Sequence, residues 1–323
     1  MNFLSKVDIP ASDLRIDYKS NLVFIGSCFA DNISAQFASR KFKVLANPLG
    51  TIYNPLSIAL MVKNIADGKV FGEEDVFQDT RCDGLWHCWD AHSSLSGATK
   101  EECIGKLNAA ATQARDFLKK ANVIFITLGS AFVYSLNGNV VANCHRQDPR
   151  QFERRLISVD EAAEAIQKIV ALLRDMNRNA RIVFTVSPIR HLGDGAHGNN
   201  LSKATVLLAI NKEISTSPLA PRNDTVDYFP SYEIVMDELR DYRFYSDDMI
   251  HLSKTAEEYI FERMVETYCS EKTRADIARV EKFMKMANHR IQDENSPATQ
   301  ELKKKLAMQA AELEKQIAGL KLG

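Results

Sequence analysis

Ser27 and Cys28 stand side by side after a glycine in "VFIGSCFADNISAQF", and Asp248 and His251 stand three residues apart in "YSDDMIHLSK". A hydroxyl or thiol becomes a competent nucleophile when an imidazole takes its proton and a carboxylate orients that imidazole. Asp-x-x-His in a turn lets the carboxylate reach the ring Nδ1–H. The two halves of such a unit come from opposite ends of the chain, so the fold must bring them together. Each half has a plainer reading: Gly-Ser at a strand end is a common turn, and a histidine beside a helix start can simply hydrogen-bond locally.

The elements around these residues set the geometry. A glycine closing the apolar run "NLVFIG" lets the backbone turn sharply, and the helix that follows begins with outward-pointing, unpaired amides. Such a corner presents a side chain together with N–H donors and the positive end of a helix dipole, which favour an oxyanion. Four short, β-branched, unalternating runs predict strands buried on both faces: Asn21 to Ser27, Lys41 to Pro48, Asn122 to Ser130 and Ala180 to Pro188. Helical stretches between them cover Asp31 to Arg40, Pro55 to Asp67, Thr99 to Ala121 and Val159 to Asn177, the last opened by a Ser158/Glu161 capping box. Strand and helix in alternation predict an α/β fold, a three-layer doubly wound parallel sheet, with ligands outside the carboxyl ends of the strands.

Two regions break the rhythm. Phe71 to Gly97 carries two tryptophans, two histidines and many turn residues, and reads as an inserted loop region over the sheet edge. Its Trp86 and His87 are candidates to wall a pocket. His87 and His92 are five apart, which does not place two imidazoles on one helical face, so no metal is expected. Beyond about Ser270 the chain becomes a C-terminal helical extension, giving expected units of 1–270 and 271–323. Leu302, Leu306, Leu313 and Leu320 trace a helical seam there, which either packs on its own domain or mediates self-association.

At 323 residues, 45% hydrophobic and 26% charged, the sequence is that of a globular protein, and its net charge of -1 offers no field for nucleic acid or an anionic membrane. The amino-terminal stretch lacks the apolar core of a signal peptide and no segment reaches about 20 apolar residues, so no membrane association is expected. Six irregularly spaced cysteines without a C-x-x-C pair read as reduced thiols, and the expected location is cytoplasmic.

"IGSCFA" together with "NPLGTIYNP", "ITLGSAFVY", "TVSPIRH", "NNLSKATVLLAI" and "YSDDMIH" resembles the GSCFA family over about Val23 to Tyr268, and more widely the SGNH or GDSL-like hydrolases. That resemblance implies a flavodoxin-like fold of the SGNH-hydrolase type with no cofactor. Laying "FIGSCF" on the family's Gly-Asp-Ser puts Gly26 on the glycine, Ser27 on the aspartate and Cys28 on the serine. The nucleophile is then Cys28, or Ser27 if the turn is offset by one residue, with His251 as base and Asp248 as its orienter. A helix N-terminus and His251 would both favour a Cys28 thiolate.

By the same resemblance Gly50 supplies an oxyanion amide. The family's oxyanion asparagine is missing from Gly129-Ser130-Ala131-Phe132, a loss that typically costs ~2.7–4 kcal/mol of transition-state stabilisation. Asn54 and Ser130 are the candidate replacements. Ser187, Arg190 and His191, past the fourth strand, are expected to meet the substrate, and Asp194 to Asn200 reads as a lid loop. The expected activity is hydrolysis of an acyl or acetyl ester on a small molecule or carbohydrate, with acyl transfer differing only in the acceptor. The alternative is a non-catalytic ligand-binding protein on the same fold.

Overall fold

The computed structural model describes residues 5–215, 226–288 and 296–322. In chain order its elements are β1 (Asn21–Gly26), α1 (Cys28–Ser39), β2 (Lys43–Ala46), α2 (Pro55–Asp67), β3 (Val76–Gln78), β4 (Trp86–Cys88), α3 (Lys100–Leu118) and β5 (Val123–Leu128). There follow β6 (Phe132–Leu136), β7 (Asn139–Val141), β8 (Phe152–Leu156), α4 (Val159–Met176), β9 (Arg181–Val186), α5 (Gly195–Ser215) and β10 (Val226–Tyr228). A helical turn α6 (Ser231–Glu233) precedes α7 (Lys254–Tyr268), α8 (Glu271–Ala287) and α9 (Pro297–Gln316).

Five strands form a parallel sheet in the order β10-β9-β5-β1-β2. The chain winds from β1 outward to β2 and then back across to β5, so the direction of winding reverses between β1 and β5. Alternate residues of each strand face opposite layers, which is why the runs are apolar throughout. Val23 and Ile25 of β1 join Ile124 and Ile126 of β5 in a core with α2, α3, α4 and α5. Leu22 and Phe24 join Phe125 in a second core with α1, α7 and α8. The fold is the expected three-layer α/β arrangement, and the C-terminal helices are present.

Gly26 is the residue that makes the corner possible. Its φ is +134°, and a Cβ there would lie 2.0 Å from the Thr127 carbonyl oxygen, so only glycine fits. Asn47, in the loop after β2, then fixes the corner with its side chain. Its Oδ1 accepts the Gly26 N–H at 2.8 Å and its Nδ2 donates to Asp31 of α1 at 2.8 Å, while Thr51 Oγ1 donates to the other Asp31 oxygen at 3.1 Å.

Away from the main sheet, the stretch from Phe71 to Gly97 holds the β3–β4 hairpin, and its Cys88 and Ala91 are buried in the core shared by α2 and α3. A three-stranded antiparallel sheet, β7-β6-β8, follows β5, with Asn137 (φ 51°) and Gly138 (φ 79°) making the β6–β7 turn. The expected lid over Asp194–Asn200 is corrected: Gly195 begins α5, and its glycines and asparagines form that helix's first turns. In α9 the carboxyl end docks on the domain, with Leu313 partly buried and Ile317 and Leu320 beyond it buried in the second core, whereas Leu302 is exposed. Arg40 binds α8 to α1 by donating from Nε to Glu281 at 2.5 Å. No helix among the described residues is long and apolar enough to cross a membrane.

Candidate active site

A cleft of about 420 Å³ opens at the carboxyl ends of β1, β5 and β9. Ser27 and Cys28 reach it from β1, Asn54 from the start of α2, Gly129 and Ser130 from the end of β5, and Ser187, Arg190 and His191 from beyond β9. The small antiparallel sheet supplies a wall of Phe132, Tyr134 and Phe152. Of the residues expected at the site, Gly50, Trp86, His87, Asp248 and His251 do not line this cleft.

Ser27 occupies the N-cap position of α1, but its hydroxyl does not cap the helix. The side chain is buried and Oγ has no hydrogen-bond partner among the described residues. Gly129 comes so close that a Cβ on it would lie 3.2 Å from Ser27 Cβ and 3.1 Å from the Tyr53 ring. Cys28 is half-buried at the first position of α1. Burial pushes its thiol up and the Asp31 carboxylate adds to this, while hydrogen bonds from the backbone amides of Phe29 and Cys28 pull the other way. The expected thiolate-favouring corner is therefore corrected: desolvation outweighs the helix amides, and a neutral thiol needs a base.

The oxyanion candidates have other duties. The Gly50 amide donates to Asn47 O at 2.7 Å, and the residue closes a turn under His92. Asn54 caps α2, accepting from the Ser57 amide at 2.9 Å and donating to Ser57 Oγ at 3.0 Å. The Gly129 and Ser130 amides both donate to Tyr53 O, and Ser130 Oγ accepts from the Phe132 amide. This leaves the first amides of α1, beside the thiol, as the remaining backbone donors at the corner.

Asp248 and His251 do form the expected pair. Nδ1 of His251 lies 2.6 Å from Asp248 Oδ2, and Asp248 Oδ1 accepts the Ile250 and His251 amides. These bonds, the imidazole's first, hold the Asp248 carboxyl down to about 2. Both side chains are about half exposed. They sit just before α7, whose Glu257 accepts from Asn32 Nδ2 at 2.6 Å. Asn32 lies one turn after Cys28 on the same face of α1, so the loop carrying the pair adjoins the helix that carries the thiol.

A second imidazole–carboxylate pair lies within the cleft. His191 Nδ1 is 3.2 Å from Asp194 Oδ1, and Arg154 forms an ion pair with the same carboxylate. Burial, with Arg154 and Lys203 nearby, lowers the His191 pKa and keeps the ring neutral at pH 7. Sequence reasoning saw His191 but not its partner, although His-x-x-Asp has the same spacing as the pair it did single out.

Lys203 was also missed. It is fully buried on α5, and Nζ donates at 2.7 Å to both Gly129 O and Ser187 O, joining the loops after β5 and β9 beneath the cleft. Burial draws it down to about 7, and the two donations can be made by the amine as well as by the ammonium.

His87 is buried between Ser96 Oγ at 2.6 Å and Asp83 Oδ1 at 3.1 Å and stacks on His145. Asp79, Asp83 and His87 bring their ligand atoms within 4.8 Å of one another. However, Asp79 Oδ1 accepts the Arg81 and Cys82 amides and Asp83 Oδ1 accepts the Leu85 amide, so these carboxylates close their own loop. Trp86 instead faces Lys100, and it is Trp89 that stands edge-on behind Phe152 of the cleft wall.

A parallel sheet wound from β1 in both directions, with a polar corner at the reversal point, defines a doubly wound α/β protein with a cleft at the strand ends. The chain belongs to the GSCFA family, whose model matches residues 21–264. Similar solved structures include a lipopolysaccharide acetyltransferase periplasmic domain from Salmonella ser. Paratyphi A. It is 13% identical, with 77% of this chain and 83% of that one covered at a TM-score of 0.37. An acetyl xylan esterase from the rumen bacterium Butyrivibrio proteoclasticus is 12% identical, with 80% of this chain and 64% of that one covered, also at 0.37. No curated protein matches the sequence.

Proposed function

We propose that the protein is an acyl-ester hydrolase in which Cys28 attacks the ester carbonyl. Its sulfur forms a thioester, the alcohol leaves with a proton returned by His251, and water then releases the acid. The observation that carries this reading is the placement of Cys28. It stands at the carboxyl end of β1, beside the winding reversal, facing a ligand-sized cleft at the first position of α1, where the helix's leading amides have no partner within the helix. Those amides are suited to hold the oxyanion that forms during attack. Ser27 is the alternative nucleophile, supported by its unpartnered hydroxyl. A hydroxyl of a second molecule in place of water turns the same steps into acyl transfer.

A second reading exchanges the base. His191 with Asp194 lines the cleft, which Asp248 and His251 do not, and a neutral ring there is ready to accept the thiol proton.

The test is turnover of nitrophenyl acetate and acetylated sugars by wild type, Cys28→Ala, Cys28→Ser, Ser27→Ala, His251→Ala and His191→Ala. Loss in the cysteine variants supports the assignment. Equal turnover in every variant leaves a ligand-binding protein that does no chemistry here.

A further inference from the structure

Among the described ionisable side chains that line the cleft, Asp194 is the one carboxylate, and it is already paired with Arg154 and His191. Arg146 and Arg190 line the same space, and neither has a carboxylate within ion-pair distance among the described residues. Arg190 Nη1 does have a partner, the side-chain oxygen of Asn200 at 3.0 Å, but that amide is neutral and leaves the charge uncompensated. A chain whose net charge is -1 thus gathers two unbalanced guanidinium groups at one cleft, above the buried Lys203 whose Nζ joins the loops of its floor. Beside them stands the aromatic wall of Phe132, Tyr134 and Phe152.

Resting on the acyl chemistry proposed at Cys28, we infer that the preferred substrate is an ester bearing an anionic group, a carboxylate or a phosphate, held by Arg190 and Arg146. The planar guanidinium fork matches the oxygens of either anion and is less strongly hydrated than an ammonium, so it suits a partly enclosed site. A neutral acetyl ester would fill the aromatic side of the cleft and leave both charges without a counter-ion. An anionic ester satisfies both halves. A cleft whose unpaired charges are of one sign concentrates the opposite sign and raises encounter rates.

Two probes of nearly equal size read this field at Cys28 without any turnover: iodoacetate, which is anionic, and iodoacetamide, which is neutral. Each alkylates the thiol with loss of iodide, and mass spectrometry locates the product. The iodoacetate-to-iodoacetamide rate ratio at Cys28 should exceed that of N-acetylcysteine amide by roughly tenfold or more. Arg190→Gln should cut that excess severalfold, Arg190→Gln with Arg146→Gln should abolish it, and Arg190→Lys should keep most of it. Protection of Cys28 from iodoacetamide by methyl succinate or by methyl phosphate then separates carboxylate from phosphate.

A wild-type ratio no higher than the free thiol's, no labelling of Cys28 by either reagent, or an equal ratio in the Gln and Lys variants overturns the inference. Failure of the hydrolase reading shows separately, as equal ester turnover by wild type and Cys28→Ala with the labelling ratio still raised.

Discussion

His191 holds its Nδ1 3.2 Å from Asp194 inside the cleft. The pair formed by Asp248 and His251 is closer, at 2.6 Å, but stands outside the cleft lining and beside the helix that bears Cys28. One protein thus carries one imidazole–carboxylate unit in the cleft that Cys28 lines and another beside the helix that begins with it, and mutagenesis separates them. With His251 as base, His251→Ala lowers kcat by roughly 10²–10⁴-fold and His191→Ala by less than tenfold. Steady-state kinetics on one ester decides the matter, and the reverse order transfers the role to His191.

Cys28 should titrate late. Burial and Asp31 raise its pKa, so its alkylation rate keeps climbing past about pH 8.5, where a free cysteine begins to level off. Asp31→Asn removes the second of those causes and shifts the rate profile to lower pH. A profile for wild type that levels off before the free thiol's would contradict the burial described here.

Lys203→Met removes both donors to Gly129 O and Ser187 O. Two carbonyls then lose their partners, partly offset by removal of a buried amine, and the net cost is about 2 kcal/mol. The amine titrates near 7 in the folded protein, below its unfolded value, so the unfolded chain binds more protons above neutrality. The wild-type advantage over Lys203→Met therefore grows as pH rises from 7 to 9, as urea unfolding at the two pH values would show.

His145 gives the opposite end of the pH scale its own signature. Burial lowers its pKa to about 4, and Nε2 bonds the Cys88 carbonyl at 2.8 Å. Above about 6.5 both folded and unfolded forms are neutral; below it the unfolded chain takes the proton first, so stability falls as pH drops toward 4, by roughly 3 kcal/mol in all. His145→Asn, which tolerates the residue's φ of 47°, should flatten that slope in unfolding curves from pH 7 to 4.5.

The central strands were legible because residues buried on both faces leave long apolar runs, and α2 begins and ends at the expected Pro55 and Asp67. The Asp248–His251 bond was legible for a different reason: it is local, and three-residue spacing nearly dictates it. What each pair faces is set by loop packing, which spacing does not encode. Helix α5 was hidden by Gly195, Gly198, Asn199 and Asn200, poor helix formers that the rest of the helix carries along. The cleft wall was missed although Asn137-Gly138 between apolar runs is a strong hairpin signal. Lys203 in "NNLSKATV" looks like any surface lysine, and only closure of α5 over the loops after β5 and β9 buries it.

Because the amide of Gly26 is held by the side chain of Asn47, the corner that carries Cys28 belongs as much to the loop after β2 as to β1 itself. Gly-Ser-Cys is accordingly not a portable cassette. Grafted onto the end of another strand it would arrive without the distant asparagine that sets its pitch. Conversely, lengthening the loop after β2 in this protein should be felt at a sulfur atom the inserted residues never touch.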